Sequence, residues 1–121
     1  MSDSTTTTPS ASSFASAALS GKKLGVLLAT SPQNSNFEPV VALLNTALDE
    51  GVVVYLYCID DGVRCAATPE FQKLKERGTK LFACAYGAHR RHIPVDDTAA
   101  FSGLTIVSDL IANTDKFLAF T

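Results

Sequence analysis

A single cysteine at the end of an apolar run is the residue of this chain best suited to covalent chemistry. Cys84 closes the segment 81–84, and a basic cluster of two arginines and two histidines follows it: His89, Arg90, Arg91 and His92. The nucleophilic form of cysteine is the thiolate, which neighbouring positive charge or a helix N-terminus favours by lowering the thiol pKa. A helical turn over 85–87 would also direct backbone N–H groups at the sulfur. We therefore place the chemistry of this chain on Cys84.

The basic cluster after Cys84 has two interpretations. Charged side chains on loops are mostly solvent-exposed, and that alone would explain them. Alternatively, they stabilise a thiolate or persulfide, or bind an acidic partner. A metal site made of Cys84, His89 and His92 is disfavoured, because structural zinc sites usually have paired ligand spacings. The polar loop 30–35 has no glycine and matches no phosphate loop, which disfavours FMN. We expect neither a metal nor a cofactor.

The other two cysteines differ in their surroundings. Cys58 lies in an apolar, β-branched and aromatic run, which indicates core packing. Cys65 follows Asp61 and Arg64 in a loop, and it is either an inert thiol or a resolving cysteine for Cys84. Pairing of the two would require Cα atoms within roughly 7 Å. C-x-x-C spacing is absent from the sequence, so neither a zinc ribbon nor a thioredoxin motif is indicated.

Composition predicts one globular domain preceded by a disordered tail. The chain has 121 residues, 46% of them hydrophobic, and a formal net charge of −2. No apolar run approaches the roughly 20 residues of a membrane span, and the charge does not favour nucleic acid. Residues 1–21 are rich in Ser, Thr and Ala, so we predict a disordered tail there and a domain over 22–121. An odd cysteine count without a secretory signal suggests reduced thiols in the cytoplasm.

Apolar strands and amphipathic helices alternate along 22–121. Strands are predicted at 24–29, 52–58, 80–84, 93–95 and 116–120; Asn36 and Thr68 are the expected helix caps, and a further helix is expected around 104–111. This alternation predicts a parallel sheet between helical layers. Ligands collect beyond the carboxyl ends of such strands, where 30–36, 60–65 and 84–92 would meet. Gly62 is expected to give that edge a turn with positive φ.

Four features in order resemble the DsrE/DsrF-like sulfur relay family of TusD- and YchN-type proteins. They are the strand–helix opening over 23–48, the Asp61-Gly62-Val63 loop after the second strand, the Ala83-Cys84 pair with an arginine downstream, and the closing helix and strand over 103–120. The resemblance covers 22–121. It implies a three-layer α/β/α fold with a mainly parallel five-stranded sheet, and assembly into homo-oligomers such as trimers or hexamers.

The resemblance also implies a role for Cys84 as the carrier of a persulfide, with Arg90 as the matching downstream arginine and Asp61 at the rim of the pocket. Other supporting residues are expected nearby: His89, Arg91, Cys65 and Tyr86. The basic cluster and Cys65 depart from the family pattern. The predicted function is sulfur transfer from a donor protein to an acceptor protein, either as catalyst or as carrier. The alternatives are a non-catalytic oligomeric or ligand-binding subunit, and a thiol redox sensor using Cys84 and Cys65.

Overall fold

A computed structural model describes residues 18–121, and residues 1–17 of the predicted tail lie outside the described part. The strands are β1 (Lys23–Leu28), β2 (Val53–Cys58), β3 (Lys80–Cys84), β4 (Ala100–Ser102) and β5 (Lys116–Phe120). The helices are α1 (Phe37–Asp49), α2 (Pro69–Glu76), α3 (Ala85–Arg90) and α4 (Thr105–Asn113), with a 3₁₀-helix over Asp60–Cys65. The alternation of strands and helices predicted from the sequence is therefore present.

The five strands form one sheet in the order β4-β3-β2-β1-β5, and every neighbouring pair is parallel. The prediction of an α/β fold with a five-stranded sheet is confirmed, and the sheet is wholly rather than mainly parallel. The chain crosses the sheet in one direction from β1 to β4 and returns from β4 to β5. Because such crossovers are right-handed, the return places α4 on the face opposite to α1 and α2.

The two faces of the sheet are covered unequally. On one face α1 packs against α2, and the stacked rings of Phe37 and Phe71 have centroids 5.4 Å apart. Fully buried strand residues such as Val54 and Leu56 lie beneath them. On the other face α4 contacts β1 and β5, and Tyr55 is only partly buried. None of the helices in 18–121 has both the length and the apolar character needed to cross a bilayer.

Both predicted cap residues stand at helix starts, but only one of them makes a side-chain capping bond. Thr68 caps α2, because its hydroxyl accepts a hydrogen bond from the Phe71 N–H at 3.3 Å, and Pro69 occupies the first turn. Asn36 stands at the N-cap position of α1, as predicted, and its carbonyl accepts the first helical hydrogen bond, from the Val40 N–H. Its side-chain oxygen, however, accepts a hydrogen bond from the Thr30 hydroxyl at 2.7 Å, and no side chain within residues 18–121 makes a capping hydrogen bond to this helix.

The predicted strand at 93–95 is also wrong, and this part of the sheet is built by β4 further along the chain. Pro94 has no N–H to donate to a neighbouring strand, and Val95 is 63% exposed. The Ile93 N–H bonds instead to the Ala88 carbonyl and closes α3. The apolar pattern at 93–95 therefore serves a helix end and a loop.

Candidate active site

A cavity of about 700 Å³ opens at the carboxyl edge of the sheet. Its walls come from the end of β3, the 3₁₀-helix, α3 and the chain just before α4. These are the segments where parallel α/β sheets hold their ligands. Of the residues predicted for the site, those lining the cavity are Asp61, Cys84, Tyr86, Arg90 and Arg91.

Cys84 lies at the junction between β3 and α3 and faces this cavity. It is the N-cap residue of α3, and its sulfur accepts a hydrogen bond from the Gly87 N–H at 3.4 Å. The helical turn expected after Cys84 is therefore present and directs a backbone N–H at the sulfur. The residue is only 5% exposed, so a reactant must enter the cavity to reach it.

Gly62 allows the 3₁₀-helix to lie against the end of β1. A Cβ at this position would come within 2.0 Å of the Leu28 carbonyl oxygen, so no other residue fits without a backbone shift. The expectation of a positive φ at Gly62 is wrong, because the left-handed residue of this turn is Asp60, with φ of 52°. Close approach of two backbones, rather than a special dihedral angle, requires the glycine.

Arg91 joins the two walls of the cavity. Its Nε donates to the Asp61 carboxylate at 3.0 Å, and its NH1 donates to the Gly87 carbonyl at 3.3 Å. The Arg91 side chain is 23% exposed and that of Asp61 is 58% exposed. An ion pair this open to solvent adds modest stability. Its main consequence is geometric, since it holds α3 beside the 3₁₀-helix.

Two further guanidinium groups line the cavity and have no carboxylate partner in the described part of the chain. Arg90 donates to the Tyr86 hydroxyl at 3.2 Å and lies 5.8 Å from the centre of that ring. Arg64 lies on the 3₁₀-helix, and within residues 18–121 its guanidinium makes no hydrogen bond or ion pair. The positive charge of these two arginines remains available to an anion in the cavity.

The other predicted residues lie elsewhere. His89 and His92 are exposed and do not line the cavity. Cys65 is fully buried outside it, and its thiol donates to the Thr30 carbonyl at 3.3 Å. Burial raises the pKa of the Cys65 thiol to about 12. Burial likewise raises the pKa of Cys58 well above its usual range. Both thiols are therefore protonated near neutral pH.

Residues missed by the sequence reasoning complete the site. Gly103 and Leu104 also line the cavity, and Leu104 is 57% exposed. Tyr57 of β2 is fully buried, and its hydroxyl reaches the Gly103 carbonyl at 3.2 Å. No local sequence signal marks Tyr57, because its importance depends on which strands lie next to each other. Within residues 18–121, no group of three His, Cys, Asp or Glu side chains is arranged to hold a metal ion.

The comparisons with known proteins bear on the fold. No protein-family model matches the chain, and no curated protein matches it in sequence. Among solved structures, the chain is similar to the crystal structure of the YchN protein from E. coli, with a TM-score of 0.61 and 18% identity. The match covers 82% of this chain and 99% of that one. The fold predicted from the resemblance is confirmed: this chain has the α/β fold of YchN, of the DsrE/TusD-like type.

Proposed function

We propose that this protein carries sulfur as a persulfide on Cys84, taking it from a donor and passing it to an acceptor thiol. One observation carries the proposal. Of the three cysteines, Cys84 alone lines the cavity that also holds Arg64 and Arg90. The fold shared with YchN supports it, because the sequence resembles the sulfur relay proteins of this fold type.

The transfer consists of two exchange steps. First, the Cys84 thiolate attacks the outer sulfur of a donor persulfide; a new S–S bond forms, the S–S bond of the donor breaks, and the donor leaves as a thiolate. Next, an acceptor thiolate attacks the outer sulfur on Cys84, and Cys84 leaves as a thiolate. Each step makes one S–S bond and breaks one, so neither oxidant nor reductant is consumed.

The surroundings of Cys84 suit an anionic sulfur. The Gly87 N–H already donates to it, and hydrogen bonds to charged acceptors are roughly twice as strong as neutral ones. Arg64 and Arg90 add positive charge within the same cavity. The thiolate and the persulfide anion both carry negative charge, so both would be stabilised in this position.

Partner proteins are part of the proposal. Tyr86 and Leu104 flank the cavity and are 67% and 57% exposed. Exposed apolar surface beside arginines without a carboxylate partner is suited to an acidic segment that brings its own sulfur to Cys84. We place this exchange in the cytoplasm, because the three free thiols suit a reducing compartment.

We also propose that copies of this chain associate as a trimer or hexamer. Leu27, Tyr55 and Phe82 share the face of the sheet that α4 covers incompletely, and each is only partly buried. Association would bury this apolar surface, and each Å² removed from water contributes a favourable free energy of roughly 25 cal/mol. Light scattering on the purified chain tests the assembly, and a monomer at micromolar concentration would contradict it.

The transfer is tested by intact mass after incubation with a low-molecular-weight persulfide donor. The expected product is heavier by one sulfur atom, and the Cys84→Ser variant gives none. Cys65→Ser is the matched control, because it removes a thiol outside the cavity while its hydroxyl can still donate to the Thr30 carbonyl. An adduct that persists in Cys84→Ser, or that disappears in Cys65→Ser, would contradict the assignment.

The low exposure of Cys84 favours one alternative, a non-catalytic subunit or ligand-binding module that uses the same cavity. In that case the native protein would give no adduct with any donor. Native Cys84 would then also resist alkylation until the protein is unfolded. A labelled Cys84 together with a persulfide adduct would exclude this alternative.

A further inference from the structure

A buried tyrosine lies beside the proposed sulfur carrier, and the mechanism above leaves it unused. Tyr57 is fully buried, yet its hydroxyl lies at the carboxyl edge of the sheet. The hydroxyl is 3.3 Å from the Ser102 carbonyl oxygen and 3.2 Å from that of Gly103, which lines the cavity.

Strand register brings the Tyr57 side chain to Cys84. Tyr57 pairs with Phe82, and Cys84 lies two residues further along β3, so these side chains share one face of the sheet. Cys84 in turn pairs with Ser102 on β4. To reach the Ser102 carbonyl from β2, the ring must cross β3 at the level of Cys84.

The hydrogen bonds from the Tyr57 hydroxyl to its two carbonyl acceptors are weak. A phenol has one proton to donate, and both acceptor distances exceed the 2.7–2.8 Å typical of O–H···O bonds. The Ser102 hydroxyl nearby is buried and has no hydrogen-bond partner within the described residues. The hydroxyl of Tyr57 can therefore turn towards a better acceptor without breaking a strong bond.

We propose that Tyr57 is a positioning residue that turns its O–H from the backbone carbonyls to the sulfur of Cys84 when that sulfur becomes an anion. The proton stays on the phenol oxygen throughout, so no proton is transferred. The inference rests on the proposed role of Cys84 as sulfur carrier, because a donor at this position matters only if an anionic sulfur forms.

The electrostatics of Tyr57 are consistent with a donor that keeps its proton. Burial, followed by the charge of a Cys84 thiolate, raises the pKa of Tyr57 to about 12. The phenol is therefore protonated throughout the range in which cysteine reacts. A phenol that keeps its proton can donate a hydrogen bond to a neighbouring thiolate and so stabilise it.

The other charged groups facing Cys84 come from two elements. Asp60, Asp61 and Arg64 lie on the 3₁₀-helix, and Arg90 and Arg91 lie at the end of α3. All five are part of the cavity wall and remain unchanged when Tyr57 is replaced. A change in the pH profile of Cys84 on replacing Tyr57 therefore reports the phenol hydroxyl.

The test is the pH profile of Cys84 alkylation, measured by peptide mass in the otherwise natural chain. In Tyr57→Phe the midpoint should move upwards by about one pH unit, the scale of one charge-assisted hydrogen bond. Tyr55→Phe is the matched control, because it removes a hydroxyl from the same strand and the same face of the sheet. In this variant the pH midpoint of Cys84 alkylation should not move. Equal midpoints in the two variants would overturn the proposal.

A second measurement covers the case in which Tyr57→Phe does not fold. A tyrosine carrying a ring fluorine beside its hydroxyl, placed at position 57, keeps the shape of the side chain and is a stronger donor. With this analogue the pH midpoint of Cys84 alkylation should move downwards, and an unchanged midpoint would overturn the proposal. Alkylation of Cys84 does not require sulfur transfer. This result is therefore independent of the persulfide adduct, which tests the proposed function.

Discussion

The buried Cys65 thiol predicts a loss of stability in alkali, and replacing Cys65 by serine should reduce that loss. The Cys65 thiol is fully buried and donates to the Thr30 carbonyl, and its pKa rises from an ordinary value of 9.0 to about 12. Above pH 9 the unfolded chain releases this proton and the folded chain keeps it. Stability is therefore fully present below pH 9 and is lost as the pH rises towards 12.

The size of the effect follows from the two pKa values. At pH 10 the unfolded thiol is about nine-tenths ionised while the folded thiol is neutral, so the loss between pH 8 and pH 10 is about 1 kcal/mol. Serine does not ionise in this range, and its hydroxyl can still donate to the Thr30 carbonyl. Any constant cost of the smaller side chain cancels when each variant is compared with itself at two pH values.

Urea unfolding of both proteins at pH 8, 9 and 10 measures the effect. The unfolding free energy of the natural chain should fall by about 1 kcal/mol more than that of Cys65→Ser. Cys58 is present in both proteins and contributes equally. Parallel pH dependences would refute the reasoning. They would mean that Cys65 ionises in the folded state, which would restore it as a candidate resolving cysteine for Cys84.

Three further predictions concern the elements that hold the site. Gly62→Ala should lower the free energy of unfolding in urea by at least about 1–3 kcal/mol, because the added Cβ would lie 2.0 Å from the Leu28 carbonyl oxygen. Unchanged stability would mean that the 3₁₀-helix does not lie against β1 as described. Thr68→Ala should cost about 1 kcal/mol in the same assay, since the Phe71 N–H loses its cap, whereas Thr68→Ser should retain most of that stability. Native protein treated with iodoacetamide at pH 8 should be labelled once, on Cys84, and three times after denaturation; a second label in the native state would contradict the burial of the other two thiols.

Local sequence patterns predicted the elements whose residues carry their own signals. The third and last strands were predicted at 80–84 and 116–120, and they occupy Lys80–Cys84 and Lys116–Phe120. The cap at Thr68 was predictable for the same reason, because a hydroxyl followed by proline is a local arrangement. Asn36 carried a similar signal, and it does stand at the start of α1, but its side-chain oxygen is bonded to the Thr30 hydroxyl rather than to a helix N–H.

Patterns failed where pairing across the sheet decided the outcome. Strand β4 has three residues, too few for a periodic signal, and it exists because Phe101 and its neighbours pair with β3. The more apolar segment at 93–95 contains Pro94, which cannot donate to a ladder. The requirement at Gly62 was equally invisible, because the atom it must avoid belongs to Leu28 on another strand.

The sequence by itself determined the α/β class, the order of most elements and the placement of a candidate nucleophile at the end of a strand, since these follow from periodicity and from residue type. Only the tertiary structure decided which thiol lines the cavity, which arginines within residues 18–121 lack a carboxylate partner, and that Tyr57 shares its face of the sheet with Cys84 on the neighbouring strand. Burial and proximity are properties of strands that meet in space. Residues as far apart as Tyr57 and Ser102 acquire a common chemical role only once the sheet brings them together.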